Sequence, residues 1–114
     1  MGGVKTLINR SSEPLRVTLI GREGENPGVS LYFQASVYIQ PGQTLHEVRY
    51  GDDRNPYLGG MSIELANQAS MIGQTLIIFQ RGDVGTLDHK MNGNSVFEIS
   101  YDANTNAFSF MAHN

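Results

Sequence analysis

Oxygen-bearing side chains in one glycine-containing loop are the first residues in this chain that could do chemistry. Asp52, Asp53 and Asn55 lie in the segment 51–60, which also contains Gly and Pro residues. Calcium binds several carboxylate and amide oxygens, so these three side chains are candidate ligands for that ion. Asp and Asn are also common in ordinary turns, where they hydrogen-bond to the nearby backbone. The spacing matches no calcium-binding loop, which favours the turn interpretation.

A second set of candidates is a row of uncharged polar residues in the segment 29–40. The odd positions are apolar and the even positions are Ser, Tyr or Gln, which predicts a β-strand with one apolar and one polar face. Tyr offers a broad contact area and Gln both donates and accepts hydrogen bonds, so this face suits protein or sugar recognition. An ordinary solvated sheet face is the alternative, since Tyr is favoured there in any case. The candidate binding residues are Tyr32, Gln34, Tyr38 and Gln40, with Tyr57 from the loop 51–60.

The distribution of charge adds to the interest of that polar face. No Asp, Glu, Lys or Arg occurs between positions 27 and 46, or between positions 65 and 80. Exposed sheet edges normally carry charged residues, which prevent association with other sheets. The uncharged strands are therefore expected to be central in a sheet, the favoured interpretation, or else covered by a partner or ligand.

Catalysis has weaker support in the sequence. An enzyme would need His46 or His89 in a pocket beside Asp52, Asp53 or Asp88, and no spacing indicates that these side chains converge. The chain has no cysteine, no phosphate-binding loop and no Gly-x-Ser-x-Gly motif. A non-catalytic protein is the favoured interpretation.

The elements that would position these residues are predicted to be short strands. The dipeptides Pro41-Gly42 and Asn92-Gly93 and the segment 102–106 predict hairpin turns, and the apolar segment 74–80 predicts a buried central strand. After position 64 a short helix reaching 72 is the alternative to a strand. The predicted strands cover residues 4–9, 15–20, 29–39, 44–50, 61–66, 74–80, 86–91, 95–101 and 107–111.

This pattern predicts an all-β fold without a secure helix. With turn signals every 8–12 residues or so, the expected architecture is a single-domain antiparallel β-sandwich of the Ig-like or Greek-key type with about eight strands, and a small barrel is the alternative. The length of 114 residues fits one domain spanning 1–114.

Composition excludes some partners. The net charge is −3 and the eight Lys and Arg residues are scattered, which argues against nucleic-acid binding. No segment approaches the ~20 apolar residues that a membrane-spanning helix needs, so membrane insertion is not expected. Neither is a signal peptide visible, so the expected location is the cytoplasm unless a leader has been removed.

The sequence therefore predicts a protein-interaction or assembly module that forms a homo-oligomer through its charge-poor strands. The alternative is a small-ligand or carbohydrate-binding domain that uses the loop 51–60, with or without calcium. The absence of Trp counts against a sugar site, because sugars commonly stack on aromatic rings. An enzyme that uses His46 or His89 is the third interpretation.

Overall fold

The computed structural model describes residues 3–22, 31–51, 57–66, 73–77 and 87–114, with the backbone alone described at 31–33, 77 and 88. These residues form eight strands and one short helix. The all-β class predicted from the sequence is confirmed. The elements are β1 (Gly3–Asn9), β2 (Leu15–Arg22), β3 (Leu31–Ile39), β4 (Thr44–Tyr50), β5 (Tyr57–Leu65), β6 (Gly73–Ile77), α1 (Leu87–Asn92), β7 (Val96–Asp102) and β8 (Ala107–His113).

The strands form two four-stranded sheets. Sheet A has the order β4-β1-β7-β8, and sheet B has the order β3-β2-β5-β6. Apolar side chains at alternate positions of both sheets share one core, as alternation across a pleated sheet requires. The fully buried members include Leu7, Leu15, Val17, Leu19, Ile39, Leu58, Met61, Ile63, Met91, Phe97 and Ile99.

The hairpin predicted between residues 29–39 and 44–50 is wrong. Pro41 and Gly42 do form a turn, and Gly42 adopts a positive φ of 75°, but the chain crosses there from sheet B to sheet A. β3 pairs with β2, whereas β4 pairs with β1. Two backbone bonds hold the crossing in place, from Gly42 N–H to Asn9 C=O (2.9 Å) and from Asn9 N–H to Gln43 C=O (3.0 Å).

A parallel pair lies at the centre of sheet A, where the sequence predicted only antiparallel pairing. β1 and β7 run parallel with Thr6 opposite Val96 and Asn9 opposite Ile99. The other five described strand pairs are antiparallel. The predicted hairpin at 102–106 is confirmed, because β7 and β8 pair antiparallel up to Asp102 opposite Ala107.

The strand predicted at 86–91 is wrong over its described part, since residues 87–92 form α1 instead. Leu87 and Met91 are four residues apart and therefore share one helix face, which packs on the core and leaves Met91 fully buried. Gly93 follows, and its N–H donates to His89 C=O (2.7 Å). A Cβ at Gly93 would lie 2.7 Å from that carbonyl oxygen, so the close approach requires glycine. The Asn92-Gly93 dipeptide thus ends a helix and does not form a hairpin.

The central strand predicted at 74–80 is also wrong over its described part. β6 is an edge strand of sheet B among the described strands, and Gln74 and Thr75 are exposed. The apolar residues that prompted the prediction are mostly at positions 77–80, whose side chains lie outside the described part of the chain.

Candidate functional site

The charge-poor strand of the sequence lies at an edge. In the strand order of the described residues, β3 is the first strand of sheet B and only β2 pairs with it. Its described outward-facing side chains are Gln34, Ser36 and Tyr38, all exposed, and Tyr38 is 61% exposed. The central position favoured from the sequence is therefore wrong. β3 is an exposed edge whose described outward residues are uncharged, a combination that natural sheets generally avoid.

A row of hydroxyl groups crosses the outer face of sheet B and reaches this edge. Ser36 on β3 lies opposite Thr18 on β2, which lies opposite Ser62 on β5, which lies opposite Thr75 on β6. The Thr18 and Ser36 hydroxyls are hydrogen-bonded at 2.8 Å, and the Thr75 hydroxyl donates to Ser62 Oγ at 3.3 Å. Sheet B thus has equivalent hydroxyl residues, Ser36 and Thr75, at its two described edges.

Tyr38 is held in place by an ion pair behind it. Arg16 on β2 lies opposite both Tyr38 and Glu64, forms an ion pair with the Glu64 carboxylate and hydrogen-bonds to the Tyr38 hydroxyl. These contacts raise the pKa of Arg16, with the Glu64 hydrogen bond as the largest cause. A small polar hollow of ≈ 110 Å³ lies between the three side chains. The Tyr38 hydroxyl is therefore directed toward Arg16 on β2, while the residue remains largely exposed.

An apolar groove runs between the β3 edge and the β4 edge. Its volume is ≈ 490 Å³, and its floor is formed by core-facing residues of both strands, Ala35 and Val37 from β3 with Leu45 and Val48 from β4. The first three of these are only partly buried, although they face the core. The rim is polar and consists of Ser36, His46, Glu47 and Arg49. The sandwich is therefore open between β3 and β4, with apolar surface next to the uncharged strand edge.

The β4 edge is built differently from the β3 edge. Val48 lies opposite Lys5 and Leu45 lies opposite Leu7, so two residues of β4, His46 and Glu47, face a single residue of β1. This is a β-bulge, and Glu47 adopts a positive φ of 55° within it. Bulges and charged side chains both block strand pairing at an edge, so β4 is protected in the way that β3 is not.

The remaining predicted binding residues lie apart from one another. Gln40 is exposed just after β3, and its backbone N–H donates to Gln43 Oε1 (2.9 Å). Tyr32 belongs to β3, but its side chain lies outside the described part of the chain. Tyr57 begins β5 at the opposite end of sheet B, with its ring 5.7 Å from the Arg22 guanidinium. Tyr57 is therefore not part of the surface formed by Gln34 and Tyr38.

The predicted calcium ligands Asp52, Asp53 and Asn55 lie outside the described residues, so the calcium prediction remains a prediction. Within the described ranges, no group of three or more His, Asp or Glu side chains is arranged to hold a metal ion.

The two histidines of the catalytic interpretation lie on different parts of the molecule. His46 is exposed on β4, one edge of sheet A, and lines the groove. His89 belongs to α1, which packs against β5 and β8, the latter being the other edge of sheet A. The structure does not bring these two residues to one site. The side chains of Asp52, Asp53 and Asp88 lie outside the described part of the chain.

Lys5 is a buried cation that sequence reasoning missed. Its side chain faces the core and is 5% exposed. The ammonium group donates to Asn94 C=O and lies 5.4 Å from the Phe97 ring centroid. Burial lowers the pKa of Lys5 to about 8. The alternation of apolar residues could not identify it. Apolar residues of β1 occur at even positions (Val4, Ile8) and at an odd position (Leu7), so the sequence does not show which face of the strand points inward.

Comparison of the chain with protein-family models, with curated proteins and with solved structures finds no match. No helix among the described residues is long and apolar enough to cross a membrane. The fold and the surface described above are therefore the basis for any functional assignment.

Proposed function

We propose that this protein is a non-catalytic interaction module that self-associates through the β3 edge of sheet B. The observation that carries the proposal is the exposed edge strand with three uncharged outward residues beside an apolar groove. Addition of a strand to such an edge provides main-chain hydrogen bonds, and neighbouring pockets accept alternate side chains.

The contrast between the two edges along the groove supports strand addition at β3. The bulge and the side chains of Glu47 and Arg49 make β4 a poor template for pairing. β3 between Gln34 and Ile39 pairs with β2 in regular register. An incoming strand would therefore pair with β3 and cover the groove.

A pair of lysine substitutions tests this proposal. Ser36→Lys places a charge at the β3 edge, whereas Thr75→Lys places the same charge in the same hydroxyl row at the β6 edge. Each variant loses one hydroxyl–hydroxyl hydrogen bond of an exposed residue, so Thr75→Lys controls for the added charge and for the loss of such a bond. Sedimentation velocity should show a concentration-dependent dimer for the wild type and for Thr75→Lys. For Ser36→Lys we expect the dimer dissociation constant to rise at least about tenfold.

Circular dichroism should show that both variants remain folded. A wild-type protein that stays strictly monomeric at high concentration would contradict the proposal. Equal weakening of the dimer by both substitutions would also contradict it, because that result would show that dimerisation does not depend specifically on the β3 edge.

A further inference from the structure

We infer that the β3 edge binds a second copy of this chain in antiparallel orientation, about a two-fold axis that passes through Ser36. The inference rests on the proposed function and specifies its register. A two-fold interface uses the same patch on both copies, so each residue must be compatible with the residue that the symmetry places opposite it. With the axis at Ser36, Gln34 lies opposite Tyr38 of the second copy and Ala35 lies opposite its Val37.

The regular part of β3 limits where the axis can lie. The β2–β3 register is regular from Gln34 to Ile39 and shifts between Gln34 and Leu31. An axis at Tyr38 would extend the pairing beyond Ile39 to the turn at Pro41. An axis at Gln34 or Ala35 would extend it into the shifted section at 31–33. Axes at Ser36 and at Val37 both keep five opposed residues within the regular section, 34–38 and 35–39, and of the two only the axis at Ser36 places the Ser36 hydroxyls opposite each other.

The outer face is self-complementary in this register. The two Ser36 hydroxyls meet across the axis, so the hydroxyl row that ends at Ser36 would continue into the second copy. The register also places Tyr38 of each copy opposite Gln34 of the other, which gives two equivalent cross-strand pairs of uncharged polar residues.

The groove side is complementary as well. Ala35 and Val37 both line the groove, and the axis at Ser36 places the smaller residue of one copy opposite the larger residue of the other. An axis at Ala35 would place the two alanines opposite each other and leave a gap. Small-against-large pairing fills space better, so the groove would close on itself in the dimer.

Electrostatics permits two identical edges to meet. None of the residues from Gln34 to Tyr38 is charged, so no like charges are placed directly opposite each other. Arg16 and Glu64, the nearest charged residues behind Tyr38, are already paired with each other. The opposed residues of the two edges themselves therefore create no like-charge repulsion.

Cysteine cross-linking tests the register, since the natural chain contains no cysteine. Directly opposed Cβ atoms in antiparallel strands lie ≈ 4.5–5.5 Å apart, close to the separation that a disulfide needs. Under mild oxidation Ser36→Cys should form a disulfide dimer, on the order of a hundredfold faster than Thr75→Cys, because pairing raises the effective thiol concentration. Gln34→Cys and Tyr38→Cys should each cross-link poorly alone but form a disulfide with one another when mixed.

The outcomes separate the register from the proposed function. If the wild type dimerises and Ser36→Lys disrupts it, but Gln34→Cys or Tyr38→Cys cross-links alone while Ser36→Cys does not, the register is wrong and the β3 edge remains the interface. A monomeric wild type would overturn both the proposed self-association through the β3 edge and the two-fold register at Ser36. Agreement of all four cysteine variants with the expected pattern supports the two-fold axis at Ser36.

Discussion

Lys5 shows how one residue can limit the stability of this fold. Its ammonium group lies at the end of the core, bonded to Asn94 C=O and beside the Phe97 ring. None of the carboxylates described forms an ion pair with it. Burying a charged group is costly, and the pKa of Lys5, which burial lowers to about 8, expresses this cost. The side chain lowers stability when it is charged in the folded state.

We predict that Lys5→Met stabilises the protein at pH 7 by about 1–2 kcal/mol, part of the gain being offset by the lost hydrogen bond. The folded state loses the Lys5 proton near pH 8 and the unfolded state near 10.5, so the unfolded state binds more protons between these values. Wild-type stability should therefore rise with pH over that range. Lys5→Met should remove much of this rise, as measured by urea denaturation at pH 7 and pH 10.

The control for this prediction is Lys90→Met. Lys90 lies 3.9 Å from the ring centroid of Phe110, which packs against Phe97, so both lysines contact the same aromatic pair. Lys90→Met should keep the wild-type rise between pH 8 and 10. Above pH 10 the raised pKa of Tyr50, about 12, acts in the opposite direction, because the unfolded state then loses its phenolic proton first. An unchanged pH dependence in Lys5→Met would contradict the prediction.

At the scale of elements, α1 supports β5 through one amide side chain. The Leu58 N–H donates to Asn92 Oδ1 (2.8 Å), and Asn92 Nδ2 donates to Leu58 C=O (3.1 Å). The described part of β6 pairs with β5 from Gly60 to Glu64, and Asn92 makes at Leu58 the kind of hydrogen bonds that a neighbouring strand would make. The helix therefore bonds to β5 next to the part that pairs with the described residues of β6.

We predict that Asn92→Ala destabilises the protein by roughly 2–4 kcal/mol, because it leaves two buried backbone groups without their partner. Asn104→Ala is the control, since Asn104 is exposed in the β7–β8 turn and should change stability by less than about 0.5 kcal/mol. Urea denaturation measures both. A loss for Asn92→Ala no larger than that of the control would show that the helix contributes little to β5.

Alternation in the sequence predicted most strands but not which strands pair. Residues 34–39 alternate as predicted, and residues 44–50 do so on either side of the bulge at His46 and Glu47. The turn at Pro41 and Gly42 is nevertheless equally compatible with a hairpin and with a crossing between sheets. The choice depends on long-range bonds from Asn9 to Gly42 and Gln43. Local patterns contain no information on such contacts.

The same limit applied to the candidate site. The uncharged polar face at Gln34, Ser36 and Tyr38 was recognised from the sequence, but its position at an edge was not. The groove was not predictable either, because its floor combines residues of two strands from different sheets. α1 was missed since six residues with apolar positions four apart are too few for the helical period to be distinguished from a strand.

At the scale of the whole molecule, the two sides of the sandwich differ. On the β6/β8 side, the Phe108 N–H donates to Gln74 Oε1 (3.4 Å) and links the two sheets. On the β3/β4 side, the sheets are separated by the open groove. The β6/β8 side is thus linked by this side-chain bond, whereas the β3/β4 side is joined at the Pro41-Gly42 turn and open at the groove, where association is expected.

We predict that the thermal midpoint of the wild type rises with protein concentration, because dimerisation stabilises the folded state by mass action. Ser36→Lys should show a clearly weaker dependence of the midpoint on concentration, whereas Thr75→Lys should behave like the wild type. Differential scanning calorimetry over a wide concentration range measures this directly. A concentration-independent midpoint in the wild type would contradict the prediction.

Asn9 is fully buried where the chain crosses between the sheets, and its amide is fully engaged. Nδ2 donates to Glu13 C=O (2.8 Å) and Ile39 C=O (3.0 Å), while Oδ1 accepts from the Ser11 N–H and hydroxyl. Asn9-Arg10-Ser11 also has the form of an acceptor triplet for N-linked glycosylation. A glycan on Nδ2 would replace one of its two hydrogens, which removes one of the donated bonds, and the sugar would not fit around a fully buried side chain. The folded protein is therefore compatible only with an unmodified Asn9.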